Sequence, residues 1–356
     1  MESNKEVGML SASWYGPNDL RLENKEIPKV VPGSVLVKVK SCAICGSDLR
    51  ILRDGNPRIS PPHILGHEIS GEVVEVGEGV FNYNVGDKVS TGADVPCGQC
   101  NHCLSGRPNC CDINYAIGYQ FDGGYAEYIL LDPLVVKHGP MQKFDNSLSW
   151  QEASLAEPLA CCINGYERAL YQENMGGIVV IFGAGPIGLM LMMLGKQFYG
   201  VDKVIIVEPS EFRRNMALNL GADVTIDPIA QDPVFEVMNI TDNQGAQAVF
   251  TACPIVETHK QAINMIAKRG VVNFFGGIPK DDPEISLSSN FIHYREAYIT
   301  GSHGSTPEQH KKALNMIANK SVDISSLISE SVPLSDIMNG FELAGSGKMA
   351  KIIVTP

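Results

Sequence analysis

The chain has 356 residues, 44% of them hydrophobic and 19% charged, and carries a formal net charge of −12. That length suffices for two domains with sizeable cores, and the composition is ordinary for a soluble globular protein. The negative charge speaks against nucleic acid or an anionic membrane as a partner, no apolar run reaches the ~18 residues a bilayer span needs, and the polar start MESNKEVGML lacks a signal peptide's apolar core, so a cytoplasmic protein is expected.

Up to about residue 90 the pattern is one of short strands broken by Gly and Pro, which suggests a small β-barrel. Leu20 to Glu26 reads as one strand. Ser34 to Lys40 alternates Val35, Val37 and Val39 with Lys38 and Lys40, as a half-buried strand does. Ile69 to Val76 and Asp87 to Ser90 follow, then a cysteine-rich lobe over Cys97 to Cys111, then strand again over Gly124 to Leu131. Trp150 to Tyr171 has helical spacing, with a break expected at Glu157-Pro158.

From Ile178 the pattern changes to alternating strands and helices. Strands are predicted at Ile178–Phe182, Lys203–Val207, Val224–Ile226, Ala248–Thr251, Val271–Phe275 and Ala297–Thr300. Helices are predicted over Leu189 to Phe198, Glu211–Leu220, Val256–Ala267 and Pro307–Ala318. A polar linker and a last strand, Ala350–Val354, close the chain. Six strands in βα alternation predict an α/β fold with a doubly wound parallel sheet.

The first strand of that series runs into Gly183-Ala184-Gly185-Pro186-Ile187-Gly188 and a helix, and the second strand ends on Glu208. Gly183 permits a tight turn, Gly185 lets a pyrophosphate approach the backbone, and Gly188 lets helix and strand pack closely. The helix N-terminus offers free N–H groups to phosphate, and an acid about 20 residues past the last glycine can hold a ribose 2′-hydroxyl. This unit predicts dinucleotide binding. Glu208 favours NAD over NADP, because a carboxylate facing a 2′-phosphate is repelled by up to ~4 kcal/mol near a surface. Arg213 and Arg214 soften that preference, and either could accept a phosphate.

Ten cysteines in a reducing compartment suggest metal rather than disulfides. Cys97, Cys100 and Cys103, with Cys110 and Cys111 a short loop later, can supply four thiolates that close a tetrahedral shell around a structural zinc. Spacing alone does not choose between Cys110 and Cys111. A second, dispersed set is Cys45, His67, Glu68 and Glu157. Thiolate, imidazole and carboxylate are the ligand types of a catalytic zinc that keeps a position open.

Several motifs in order carry a resemblance: Cys-Gly-Ser-Asp at 45–48, Gly-His-Glu at 66–68, Val-Gly-Asp at 85–87, the cysteine lobe, Asp-Gly-Gly-Tyr-Ala-Glu-Tyr at 122–128, Glu-Pro-Leu at 157–159, Gly-Ala-Gly-Pro-Ile-Gly at 183–188 and Leu-Gly-Ala-Asp at 220–223. Over essentially its full length the chain resembles the zinc-dependent medium-chain dehydrogenases. Glu-Pro-Leu, where alcohol dehydrogenases keep a third ligand cysteine, points to the sorbitol or polyol dehydrogenase branch, which includes sugar-alcohol phosphate dehydrogenases. The resemblance implies a GroES-like β-barrel catalytic domain over 1–158 and 301–356, with the structural-zinc lobe at about 94–113, and a Rossmann NAD-binding domain over 159–300. It implies an active site in the cleft between them, two zinc ions per chain, and Cys111 as the fourth ligand of the lobe.

Carried over residue by residue, Cys45, His67 and either Glu68 or Glu157 hold the catalytic zinc, and Ser47 takes the substrate's proton. Gly183, Gly185, Pro186, Ile187, Gly188, Glu208 and Arg213 hold NAD. The family's next relay histidine is replaced by Arg50, which cannot act as a base at ordinary pH. Arg50 and Arg53 are either surface cations or contacts for a substrate phosphate. The implied reaction is hydride transfer between NAD(H) and a secondary alcohol of a polyol or polyol phosphate, with zinc as Lewis acid. Threonine-type and simple alcohols are rival substrates, and a catalytically silent relative is the rival from another class. A homo-oligomer, dimer or tetramer, is implied, with the sheet edge near Ala297–Ser302 as its contact.

Overall fold

The computed structural model describes residues 8–279 and 281–356. Residues 1–7, which carry most of the polar start, lie outside it. The described chain divides into two compact units. One runs up to Ala160 and resumes over Gly304–Lys320 and Leu327–Pro356; the other is Cys161–His303 with Ser321–Ser326. The sequence expectation placed 321–326 with the first unit; those six residues group with the second.

The first unit is a β structure. Its larger sheet runs in the order Gln142–Phe144, Lys88–Thr91, Glu68–Val76, Val35–Ala43, Lys351–Thr355, Ile328–Pro333, with Tyr128–Leu131 also pairing with Val35–Ala43. A second sheet joins Asp19–Glu26, Gly8–Gly16 and His63–Ile64. Val35–Ala43 sits at the centre because Val35, Val37 and Val39 face the core while Lys38 is exposed. The core it joins includes Trp14, Ile69, Val73, Tyr125, Ile129, Phe341 and Ile352. Residues 319–349 are not a linker. They hold strand Ile328–Pro333, parallel to Lys351–Thr355, and helix Ile337–Gly345. Val332, Leu334, Ile337 and Phe341 are buried there, but Ser, Asn and Gly between them hide the apolar period.

The second unit is a six-stranded parallel sheet in the order Val224–Ile226, Lys203–Val207, Ile178–Phe182, Ala246–Thr251, Ile266–Phe274, Tyr298–Gly301. Ile178–Phe182 lies between two neighbours, and Val179 to Phe182 are buried. That burial explains why it reads as a continuous apolar run rather than an alternating one. Strand order reverses beside it, which is where doubly wound sheets bind ligand. Helix Pro186–Gln197 follows it and buries Gly188 to Gly195. The helical stretch after Ser149 breaks at Leu155, giving Trp150–Ser154 and Ala156–Arg168. Pro158 therefore falls in the first turn of the second helix, where its missing N–H costs no helical bond.

Candidate active site and metal centres

In the first unit, Cys45 caps helix Gly46–Asp54 immediately after the central strand. Asp48, in the first turn, accepts the Cys45 backbone N–H at 3.0 Å and the Tyr125 hydroxyl at 2.8 Å through the same oxygen. Its other oxygen stands 3.5 Å from His67 Nδ1. A buried carboxylate beside one ring nitrogen favours the proton there and leaves Nε2 as the free lone pair, as metal-ligating histidines need. Nε2 faces Ser47 Oγ at 3.5 Å. His67 and Asp48 are both buried. Burial disfavours a charged imidazole, but Asp48 outweighs it and raises the proton affinity of His67 well above its ordinary value.

His67 is delivered by a turn at Gly66, whose φ of +95° is left-handed and whose missing side chain makes room for Cys42 Sγ and the Tyr125 ring. Glu68 opens the next strand and is fully buried. Both its oxygens are bonded by Nζ of Lys351, itself buried, from the last strand, which lies on the other side of Val35–Ala43 in the same sheet. A buried carboxylate is tolerated only with such a countercharge. The donor atoms of Cys45, His67 and Glu68 lie within 4.8 Å of one another. One thiol, one imidazole and one carboxylate at that separation suit a zinc site with an open fourth position.

Glu157 is not one of those three converging donors. It lies in the first turn of helix Ala156–Arg168 and is 6% exposed. Gly92 leaves it room: a Cβ at 92 would stand 2.8 Å from Glu157 Cγ and 3.3 Å from His310 Nδ1. Burial lifts the Glu157 carboxyl to about 7; the nearby His67 opposes this, and Glu68 and Asp94 add to it. His310 is buried too, and burial drives it down to about 3, so it is neutral. Its Nε2 stands 3.0 Å from Ser90 Oγ, which donates to the Ala153 carbonyl.

The cysteine lobe is built differently. Cys103 Sγ stands 3.5 Å from Cys100 Sγ and 3.9 Å from Cys97 Sγ, and Cys100 Sγ stands 3.9 Å from Cys111 Sγ. A tetrahedron of sulfurs ~2.3 Å from zinc has edges of about 3.8 Å. Backbone N–H groups of Cys97 and Cys100 point at Cys111 and Cys97 sulfurs, both at 3.3 Å. Amides of Asp112 and Cys103 bring the Cys100 thiol down to about 6, as suits a thiolate ligand. Cys110 is exposed and outside the cluster.

In the second unit, Gly183 has φ +97° and donates to the Val207 carbonyl at 2.8 Å. A Cβ at Gly188 would stand 1.9 Å from the Gly183 oxygen, so only glycine lets this helix lie so close to its strand. Gly185 caps the helix with nothing within 4 Å of where a Cβ would be, and Pro186 and Ile187 form the first turn. Glu208 is buried, with one oxygen accepting from Ala184 N at 2.9 Å and the other from Ser210 N at 3.0 Å. The acid is thus tied to the loop that would carry the dinucleotide. Arg213 is half-buried on the first turn of helix Glu211–Asn219.

Two family models match: the alcohol dehydrogenase GroES-like domain over residues 31–139 and the zinc-binding dehydrogenase domain over 186–319. A sorbitol dehydrogenase of Halalkalibacterium halodurans is 32% identical over 93% of this chain and 95% of its own. The chain belongs to the zinc-dependent medium-chain dehydrogenases. Other members with which it aligns are an L-threonine 3-dehydrogenase of Pyrococcus furiosus, 34% identical over 92% of each chain, and a D-arabitol-phosphate dehydrogenase of Enterococcus avium, 29% identical over 99% of this chain and 98% of its own. Among solved structures, a zinc-binding dehydrogenase of Sinorhizobium meliloti bound to NADP superposes with a TM-score of 0.89, at 30% identity over 98% of this chain and all of its own. As a member of this family the chain is an alcohol-type dehydrogenase, and its GroES-like and parallel-sheet architecture is the family's. Relatives at this identity differ in substrate, so membership alone does not choose one. No helix among the described residues is long and apolar enough to cross a membrane.

Several residues have partners that motif reading did not give them. Arg214, which the sequence offered as a phosphate contact, is committed elsewhere. Its guanidinium donates to the Glu208 and Pro209 carbonyls at 2.9 and 2.7 Å and pairs with Asp227 at 3.1 Å. Arg53 pairs with its neighbour Asp54 at 2.7 Å on an exposed face, and Arg50 is exposed. Lys351 carries no local motif, and its role appears only with the strand pairing. Tyr119 lies with its ring centroid 6.3 Å from that of His67.

Proposed function

We propose that this chain transfers a hydride between NAD(H) and a secondary alcohol of a polyol or polyol phosphate. The observation that carries it is the convergence of Cys45, His67 and Glu68 beside Ser47, on a chain that also presents Glu208 to a glycine-rich loop. Cys45, His67 and Glu68 would hold the catalytic zinc, with Glu157 beside them to complete the shell or orient a bound molecule. Cys97, Cys100, Cys103 and Cys111 would hold a second, structural zinc. Catalytic zinc supplies Lewis acidity toward the substrate hydroxyl.

The chain's own residues do the rest. Asp48 fixes the His67 ring, Lys351 balances the buried Glu68 charge, and Ser47, whose hydroxyl stands 3.5 Å from His67 Nε2, takes the substrate's hydroxyl proton as it releases its own to water. Arg50 has no part in that relay. Gly183, Gly185, Pro186, Ile187 and Gly188 form the pyrophosphate cradle. Glu208 takes the adenosine ribose, with Arg213 beside the adenine. Removal of Arg214 from the phosphate-binding repertoire strengthens the preference for NAD. Threonine is the second reading, favoured by the 34% identity to a threonine dehydrogenase. Ten free thiols suit the reducing cytoplasm. The exposed edge strand Tyr298–Gly301 would pair with a second copy; a monomer in light scattering would exclude that pairing.

Elemental analysis should give two zinc ions per chain, and NADH absorbance should report turnover with sugar alcohols, their phosphates or threonine. One zinc and no turnover would favour a silent family member. Glu208→Ala should shift preference toward NADP by roughly tenfold or more; unchanged preference would remove Glu208 from the cofactor site.

A further inference from the structure

Arg58 stands over the face of Tyr119 with its guanidinium carbon 5.2 Å from the ring centroid. Tyr119 in turn faces His67, with ring centroids 6.3 Å apart, so one aromatic ring lies between a cation and the candidate metal donors. This cation is held in place. Nη2 of Arg58 donates to the Asn114 carbonyl and, at 3.4 Å, to Gln120 Oε1. Gln120 Nε2 returns a bond to the Arg58 carbonyl at 3.2 Å, and Asn56 Oδ1 accepts from Arg58 N at 2.9 Å. The segment that presents Asn114, Tyr119 and Gln120 is itself bonded to the turn that carries His67: Gly123 N, Gly124 N and Tyr125 N donate to the Ile64, Gly66 and Leu65 carbonyls at 2.8, 2.9 and 3.1 Å. Both sides of the arrangement are thus referred to the same backbone.

The arginines differ in their partners. Arg21, Arg53, Arg214 and Arg269 pair with carboxylates. Arg58 pairs with none among the described residues. Its partners are neutral oxygens, all on Nη2, and they orient the guanidinium without neutralising it. In a chain of net charge −12, an oriented and uncompensated guanidinium beside a reaction centre calls for an anion.

We infer that Arg58 and Tyr119 form an anion subsite, which selects a secondary alcohol carrying a carboxylate or a phosphate. The inference rests on the dehydrogenase reading above and narrows it. The hydroxyl to be oxidised lies at Cys45, His67 and Glu68, the carbon chain crosses the Tyr119 ring, and the anionic end meets the guanidinium. Two sources share that chemistry. The carboxylate of threonine lies close to its hydroxyl carbon, whereas the phosphate of a pentitol phosphate lies several carbons away. A relative named for arabitol phosphate and another named for threonine both align over nearly the whole chain.

The experiment compares the zinc-loaded protein with Arg58→Gln, Arg58→Lys and, as a control on the outer face of the same region, Arg53→Gln. Substrates are L-threonine, arabitol phosphate, arabitol and 2,3-butanediol. KM for whichever anionic substrate is used should rise at least tenfold in Arg58→Gln with kcat changing much less. The neutral alcohols should change several-fold less, Arg58→Lys should recover part of the loss, and Arg53→Gln should match the parent protein. Threonine preference with a large Arg58 effect assigns a carboxylate; pentitol-phosphate preference assigns a phosphate. A parent enzyme that prefers the neutral alcohols, an equal effect on neutral and anionic substrates, or a rise confined to the KM for NAD would each overturn the subsite. Calorimetric titration with arabitol phosphate and with threonine provides a readout independent of turnover. A Kd for both ligands unchanged between the parent and Arg58→Gln defeats the subsite, whereas absence of any alcohol oxidation defeats the dehydrogenase reading instead.

Discussion

The two candidate metal clusters of the first unit reach a similar compactness by opposite routes. The cysteine lobe closes within 14 residues of chain, uses one donor type, and neutralises its thiolates with its own backbone amides. The Cys45, His67 and Glu68 cluster draws on separated elements, uses three donor types, and depends on buried charges contributed from elsewhere: Asp48 behind His67, Lys351 behind Glu68, and Glu157 nearby. Four like donors satisfied by local amides make a closed, inert shell. Three unlike donors with a fourth position open leave the shell for the substrate to finish. On the proposed assignment, the contrast separates a site that would hold structure from one that would do chemistry.

The sharpest break between the two is His67→Ala. It should lower kcat/KM by roughly a thousandfold or more and bring the zinc content from two per chain to one, measured by kinetics and elemental analysis on the same sample. Loss of both zincs would show that the clusters are not independent. Cys103→Ser should act the other way. One zinc is lost, calorimetric Tm falls by roughly 5 °C or more, and kcat per correctly folded molecule stays within a few-fold of the parent. A thousandfold loss of kcat in that variant would assign the lobe a catalytic role.

A third test uses the buried carboxyl that stands beside the open cluster. The Glu157 carboxyl sits at about 7 in the fold against an ordinary 4.5, so the metal-free folded state holds this proton more tightly than the unfolded chain does. Its contribution to stability is fully present below pH 4.5 and is lost as pH rises to about 7, on the order of 3 kcal/mol across that window. Chelator-treated protein should therefore lose Tm between pH 5 and 8, and Glu157→Gln should flatten that slope. Parallel slopes in the two proteins would sink the assignment. The smallest effect is expected from Cys110→Ser: two zincs retained and Tm unchanged within about 1 °C. A lost zinc would place Cys110 in the shell.

The same contrast explains what sequence could reveal. The lobe is legible because its donors are neighbours in the chain, and spacing alone left only the choice between Cys110 and Cys111. Ile178–Phe182, Lys203–Val207 and Val224–Ile226 are legible to the residue because strands buried within a parallel sheet turn into apolar runs bounded by turns. The open cluster was legible only as a dispersed set of suitable ligand types whose roles came through resemblance, since nothing local joins Cys45 to His67 or either to Glu157. Lys351, Arg58 and Arg214 stayed hidden for the same reason. A charged side chain is read as surface until its partner, 283 residues away for Lys351 and Glu68, is brought beside it. Helix Ile337–Gly345 was missed because it is short and carries Gly340 and Gly345, which read as breakers.

The distance from Glu68 to Lys351 also sets an order of events during synthesis. Once Cys111 has left the ribosome, all four thiols of the lobe are available, and a nascent chain can capture its first metal with most of the protein still unmade. Glu68 must wait for a counter-ion that lies 283 residues beyond it in the chain. Until strand Lys351–Thr355 adds itself to the sheet, that carboxylate has every reason to stay hydrated rather than buried. On the proposed assignment, the open cluster would be completed after the cysteine lobe, and a half-made chain could hold its scaffold metal before it could carry out any chemistry.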